Sequence, residues 1–117
     1  MEKSILVSIK KLLGIAEDYT QFDTDIIIHI NTAFMSLHQL GVHDDEAFTI
    51  TDKKTKWNDY IDEDDNLEAT KTYIYLKVKQ VFDPPQSAAA LEALQNTIQQ
   101  LEWRLTVQTD INNGGEQ

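Results

Sequence analysis

The residues best suited to bind a metal ion are three histidines, His29, His38 and His43, and an acidic run at residues 62–66. Zinc sites usually draw their ligands from short, regular spacings. No two of the histidines are separated by three residues, and no acidic residue completes a ligand set with one of them on a single helix face. We therefore interpret the histidines as helix and loop residues, and we expect no bound metal ion.

The acidic run has part of the spacing of a calcium-binding loop. Asp62, Asp64 and Asn66 would fill the first, third and fifth positions of an EF-hand. The position that requires glycine is Leu67, and the position of the final bidentate acid is Tyr73. The match therefore fails, and we interpret the run as a solvated loop that caps the helix after it.

Other catalytic groups are also missing from the sequence. The absence of cysteine excludes disulfides, thiolate zinc sites and cysteine nucleophiles. Four glycines, two of them in the C-terminal tail, cannot form a phosphate-binding loop, and no serine lies in a nucleophile elbow. No pair of carboxylates lies in an apolar setting that would tune a pKa for proton transfer. We expect no active site and no cofactor, so the chain is not predicted to be an enzyme.

The charge balance limits the possible partners. The chain has 20 acidic and 10 basic residues and a formal net charge of -10. Such a surface disfavours gripping nucleic acid or docking on an anionic membrane, because both depend on lysine and arginine. It is compatible with DNA passing nearby, because a negative wall repels phosphates. No apolar run approaches a membrane span of about 20 residues, and no secretory signal is evident. We expect a soluble protein made in the cytoplasm.

Apolar residues recur at intervals of three and four, which predicts amphipathic helices. The predicted helices span about residues 3–13, 24–40, 67–82 and 87–108. Gly14 and Gly41 are predicted to end the first two helices, and Ser87 to cap the start of the fourth. The N-cap candidates for the second helix are Thr20 and Asp23.

The segment 42–66 is less regular. Residues 47–50 could form a short extended piece, and the spacing of Trp57, Tyr60 and Ile61 suggests one or two helical turns. The helix at 67–82 is apolar almost all round, which is typical of an element at the centre of a fold. The fold class is therefore all-α: a compact bundle of about four helices with an irregular middle segment and a long C-terminal helix. We expect one domain, residues 1–110, and a flexible tail, residues 111–117.

The last helix allows two interpretations. Its stripe of leucine and isoleucine residues, Leu91 to Leu105, is most simply a core face. Part of the stripe, with Trp103, could instead meet another subunit. Trp57 and Trp103 are more often core residues, although tryptophan is also enriched at interface hot spots.

Several short stretches of the chain together resemble one family. In the second half these are residues 67–79, Val81-Phe-Asp-Pro-Pro85, Leu91-Glu-Ala-Leu94 and Leu101-Glu-Trp-Arg-Leu105. In the first half they are residues 5–14, 25–41 and 57–61. The combination, covering residues 3–108, resembles the phage head–tail connector, or head completion, proteins of long-tailed phages and prophages. Its most specific part is the Phe-Asp-Pro-Pro turn joined to Glu-Trp-Arg-Leu.

The resemblance implies a structural virion protein at the head–tail interface, assembled in the host bacterial cytoplasm. Such a subunit forms a ring, dodecameric in the virion, beneath the portal. The ring extends the DNA channel, without binding DNA specifically, and offers a docking surface to the stopper or tail completion protein. Membranes are not among the implied partners. The residues expected at subunit or portal interfaces are Trp57, Phe82, Pro84, Pro85, Trp103 and Arg104.

Two alternatives belong to other functional classes. A charge of -10 would also suit a small acidic adaptor or a DNA mimic that blocks a host factor. A metal-dependent hydrolase would be motivated only by the histidines and the acidic run. Recovery of one host DNA-binding protein without any portal would favour the adaptor, and metal analysis would test the hydrolase.

Overall fold

The computed structural model describes residues 3–41, 48–60 and 67–114, with side chains up to residue 107. The helices of this part of the chain are α1 (Ile5–Leu13), α2 (Asp23–Gln39), α3 (Trp57–Tyr60), α4 (Leu67–Phe82) and α5 (Ala88–Gly114). The described ranges contain no β-strand, and an isolated antiparallel bridge joins Ser4 to Lys56. The all-α prediction is confirmed.

Helix α1 has a polar cap at its start and a glycine at its end. The Ser4 hydroxyl accepts a hydrogen bond from the Val7 amide at 3.2 Å. Gly14 has a φ of 82°, in the left-handed region, and its amide donates to the Lys11 carbonyl, as predicted for a C-terminal stop. The helix begins at Ile5 rather than at residue 3, because Lys3 pairs with the segment before α3: the Trp57 amide donates to the Lys3 carbonyl at 3.0 Å.

The start of α2 differs from the prediction. The N-cap position is Phe22, whose side chain makes no capping hydrogen bond. Asp23 lies inside the first turn, and its carboxylate contacts the Lys10 ammonium at 2.9 Å. The assignment of Thr20 or Asp23 as the N-cap was therefore wrong, because the Asp23 side chain is used in a tertiary ion pair. The helix ends at Gln39, and Gly41 follows with a φ of 77°.

Helix α4 has the predicted bounds and the predicted central place. It packs against α2, α5 and α1, and its fully buried residues include Tyr73, Ile74 and Val78. The Tyr73 hydroxyl donates to the Glu102 carboxylate of α5 at 2.8 Å. Apolar packing and this hydrogen bond thus join α4 to α5.

Helix α5 begins after Ser87, whose hydroxyl accepts from the Ala90 amide at 3.1 Å. Leu94, Ile98 and Leu105 are buried in the common core, so the core interpretation of this stripe is confirmed. The helix has 27 residues and a length of about 40 Å. It ends at Gly114, and the predicted end near residue 108 was therefore too early.

The middle segment is held by side chains rather than by a strand. The Asn31 amide group donates to the Ile50 carbonyl at 3.0 Å and accepts from the Ile50 amide at 2.8 Å. Residues 48–50 belong to no strand in the described part of the chain. Phe34, Phe48 and Tyr60 pack with ring centroids 4.6–5.0 Å apart. Residue 47, His43 and the acidic run lie outside the described residues.

Candidate assembly surfaces

Within the described ranges, no group of three or more acidic or histidine side chains is arranged to hold a metal ion. His29 is half-buried, with its ring 6.5 Å from that of Phe82, and His38 is exposed near the end of α2. No described helix is both long enough and apolar enough to cross a membrane. The described residues also include several large apolar side chains that are exposed.

Trp57 lies in the core, with 3% of its surface exposed. Its indole nitrogen donates to the Ser8 hydroxyl at 3.0 Å, and the Lys71 ammonium lies 5.7 Å from the ring centroid. The residue therefore ties α3 to α1 and α4. It has little surface left for a neighbouring subunit, and we do not retain it in a candidate interface.

Phe82 belongs to a group that we call the aromatic corner: Tyr19, Phe22, His29 and Phe82. The Phe22 ring packs edge-on against Phe82, with centroids 5.4 Å apart, and Tyr19 lies 5.7 Å from Phe22. Tyr19 and Phe22 are 45% and 37% exposed. After Phe82 and Asp83 come Pro84, which is exposed, and Pro85, which is half-buried. The corner is an exposed apolar surface that could take part in protein contacts.

A buried lysine positions this corner. Lys10 is 1% exposed, and its ammonium donates to the carbonyls of Glu17 at 2.9 Å and Tyr19 at 2.8 Å. The same ammonium forms an ion pair with the Asp23 carboxylate, with 2.9 Å between the nitrogen and the nearer oxygen. Lys10 thus ties the α1–α2 loop, which carries Tyr19 and Phe22, to the body of the protein. The sequence analysis missed this role, although Lys10 lies in helical phase with the apolar residues Leu6 and Leu13.

Trp103 and Arg104 lie on a second surface, the α5 outer face, together with Asn96, Gln99 and Gln100. These five residues line a shallow groove of ≈ 500 Å³. Trp103 is 70% exposed, so the core interpretation of this residue was wrong. It falls outside the buried stripe because it lies two residues from both Leu101 and Leu105, and positions two apart do not share a helix face. An exposed tryptophan is typical of an interaction surface.

A third surface was missed in the sequence. Ile28 and Met35 of α2 are 54% and 51% exposed and lie seven residues, or two helical turns, apart. Thr32 lies between them, and these three residues form what we call the α2 outer ridge. The available signal was the position of Ile28 and Met35 outside the buried stripe of α2, which contains Ile26 and Ile30.

The six residues predicted for an interface do not form one site. The Tyr73–Glu102 hydrogen bond places Trp103 and Arg104 beside the first half of α4. Phe82 lies nine residues after Tyr73, about 13 Å farther along the helix. The aromatic corner and the α5 outer face are therefore separate surfaces.

A family model described as phage connector protein matches residues 5–112. The chain belongs to the phage connector family. The resemblance noted in the sequence is thereby confirmed. Searches of curated proteins and of solved structures find no match.

Membership in this family bears on which proteins the exposed surfaces of this connector contact. The family is structural, and a connector contacts portal and tail components of the virion. Exposed apolar groups of the kind found at the aromatic corner, the α5 outer face and the α2 outer ridge are typical of contact surfaces between proteins.

Proposed function

We propose that this connector chain forms a closed ring, dodecameric in the virion, beneath the portal of a tailed phage. The ring would extend the DNA channel and provide the docking surface for the stopper or tail completion protein. The observation that carries this proposal is the family match, which spans residues 5–112 of a 117-residue chain.

The charge of the chain supports a channel role. A ring of copies, each with a net charge of -10, carries a large negative charge. We infer that this charge extends to the channel wall, where it repels phosphates, so DNA can slide past without being held. A channel component must let DNA move through it.

The exposed apolar surfaces support assembly. A ring subunit needs two different, complementary side surfaces and at least one more for the components above and below it. The α2 outer ridge, the α5 outer face and the aromatic corner are three separate candidates. Phe82, Pro84 and Pro85 remain our candidates for contacts with the portal or tail, and Trp103 and Arg104 for contacts between subunits.

Deletion of the gene from the phage tests the proposal. Electron microscopy of the lysate should then show DNA-filled heads that carry portals but no tails. Complementation with the wild-type chain should restore tailed, infectious particles. If the deletion phage produces normal infectious particles, the proposal is wrong. If it produces only heads that never packaged DNA, the chain acts in an earlier step and the docking role must be abandoned.

A further inference from the structure

The α2 outer ridge and the α5 outer face lie on different flanks of the molecule. Helix α4 packs against both α2 and α5. The buried residues of α2, such as Ile30 and Leu37, and those of α5, such as Ile98, face this shared core. Ile28 and Met35 lie on the opposite side of α2, and Trp103 is the most exposed of the large apolar side chains described. Each flank therefore presents its own apolar surface.

Each surface adjoins a stretch of its helix without charged residues, although 26% of the chain is charged. Residues 26–39 of α2 contain no Asp, Glu, Lys or Arg, and neither do residues 93–101 of α5. Two copies with a net charge of -10 repel each other unless they meet where carboxylates are absent. The centres of protein interfaces are depleted of charged residues for this reason. A second copy of this chain is the partner that these two surfaces fit.

We propose that the α5 outer face of one copy packs on the α2 outer ridge of the next, with Trp103 seated between Ile28 and Met35. This inference rests on the proposed ring function. Ile28 and Met35 are two turns apart, about 10 Å along the helix, and Thr32 between them leaves room for an indole ring. Because the two faces differ, the contact is head to tail, which a closed ring requires.

The charges at the margins of the two surfaces are complementary. Arg104, the only arginine in the sequence, adjoins Trp103 and is exposed. Asp25 is exposed one turn before Ile28 on α2. With Trp103 seated over Thr32 and the two helices antiparallel, Arg104 lies toward the Asp25 end of the ridge. An ion pair between Arg104 of one copy and Asp25 of the next fixes the relative direction of α5 and α2.

Native mass spectrometry of the full chain mixed with its own portal measures ring formation directly. Trp103→Ala and Met35→Glu should each weaken assembly by about ten-fold or more, while thermal melts of the isolated chains stay close to the wild type. The matched control is Leu12→Glu, which introduces the same charge at a residue that is 52% exposed but lies on α1, outside both faces. The control should assemble as the wild type does.

A charge exchange tests the direction of the contact. Asp25→Arg and Arg104→Asp should each weaken assembly, and the double variant should recover most of the loss. If Trp103→Ala and Met35→Glu assemble as well as the wild type, this interface is wrong and the connector function stands. If the wild-type chain forms no ring with its portal, the proposed function fails. If the double variant recovers nothing, the Asp25–Arg104 pairing is wrong.

Discussion

Lys10 shows how one residue can organise an exposed surface from inside the protein. Its ammonium is buried, and it holds two backbone carbonyls and the Asp23 carboxylate at 2.8–2.9 Å. The aromatic corner depends on it because the same loop carries Tyr19 and Phe22. A lysine at this position is thus a structural residue, although its charge suggests a solvent-exposed one.

Lys10→Met should lower the free energy of unfolding by about 3 kcal/mol, since it leaves a partly buried carboxylate without its partner. The change is measured by urea unfolding. Lys54→Met removes an exposed lysine and should stay within about 0.5 kcal/mol of the wild type. Equal stability of the two variants would contradict the role assigned to Lys10.

Because Tyr60 and Tyr73 are buried, we expect the free energy of unfolding to fall at alkaline pH. Burial raises the pKa of Tyr60 to about 12. Burial also raises the pKa of Tyr73, and the adjacent Glu102 carboxylate raises it further. Above pH 10 the unfolded chain releases these protons while the folded chain retains them. The stabilisation is therefore complete below pH 10 and falls as the pH rises towards 12.

Tyr60→Phe should make this fall shallower, by at most about 1.4 kcal/mol per pH unit. Urea unfolding at intervals between about pH 9 and about pH 11 measures the slope. Tyr19→Phe, at an exposed position, is the control and should leave the slope unchanged. An identical slope for Tyr60→Phe and the wild type would contradict the assignment.

At the scale of elements, the end of α1 depends on a single backbone conformation. Gly14 has a φ of 82°, and a Cβ added there would meet no atom within 4 Å. The cost of a side chain is therefore conformational rather than steric. Gly14→Ala should lower the free energy of unfolding by about 1 kcal/mol, and Gly14→Asn by less, because asparagine tolerates this region better. Thermal unfolding compares the two variants, and an alanine variant as stable as the wild type would refute the argument.

The middle segment depends on Asn31, whose amide group binds both backbone polar groups of Ile50. Asn31→Ala leaves these two groups without partners and should cost about 1–3 kcal/mol. Asn58→Ala, at an exposed position of α3, is the control. Hydrogen exchange of the Ile50 amide gives a local readout, and unchanged protection in Asn31→Ala would show that the segment is held in another way.

Features set by residues close together in the sequence were predicted correctly. Features set by contacts between residues far apart in the sequence were not. The bounds of α4 follow from local apolar spacing and from the Pro84-Pro85 turn, and they were predicted correctly. The start of α2 could not be predicted, because Asp23 is paired with Lys10, thirteen residues away. The Asn31–Ile50 contact spans nineteen residues, and no local pattern signals it. For α5, the stripe of leucine and isoleucine residues identified the buried face. The exposure of Trp103 could not be predicted, because it depends on how the other helices pack against α5.

At the scale of the whole molecule, net charge and uncharged faces make opposite contributions to assembly. Repulsion between copies of charge -10 is screened by salt, whereas burial of Trp103, Ile28 and Met35 is not. Raising NaCl from about 50 mM to about 500 mM should therefore strengthen ring formation. Sizing with light scattering at both salt concentrations measures the effect. Dissociation at high salt would indicate that ion pairs, rather than the uncharged faces, hold the subunits together.

The most direct test of the connector role is electron microscopy of the purified chain incubated with the portal of its own phage. We predict a closed ring of this chain on one end of the portal, coaxial with the portal channel and open at its centre. Portals that remain bare at saturating concentrations of a folded chain would contradict the account.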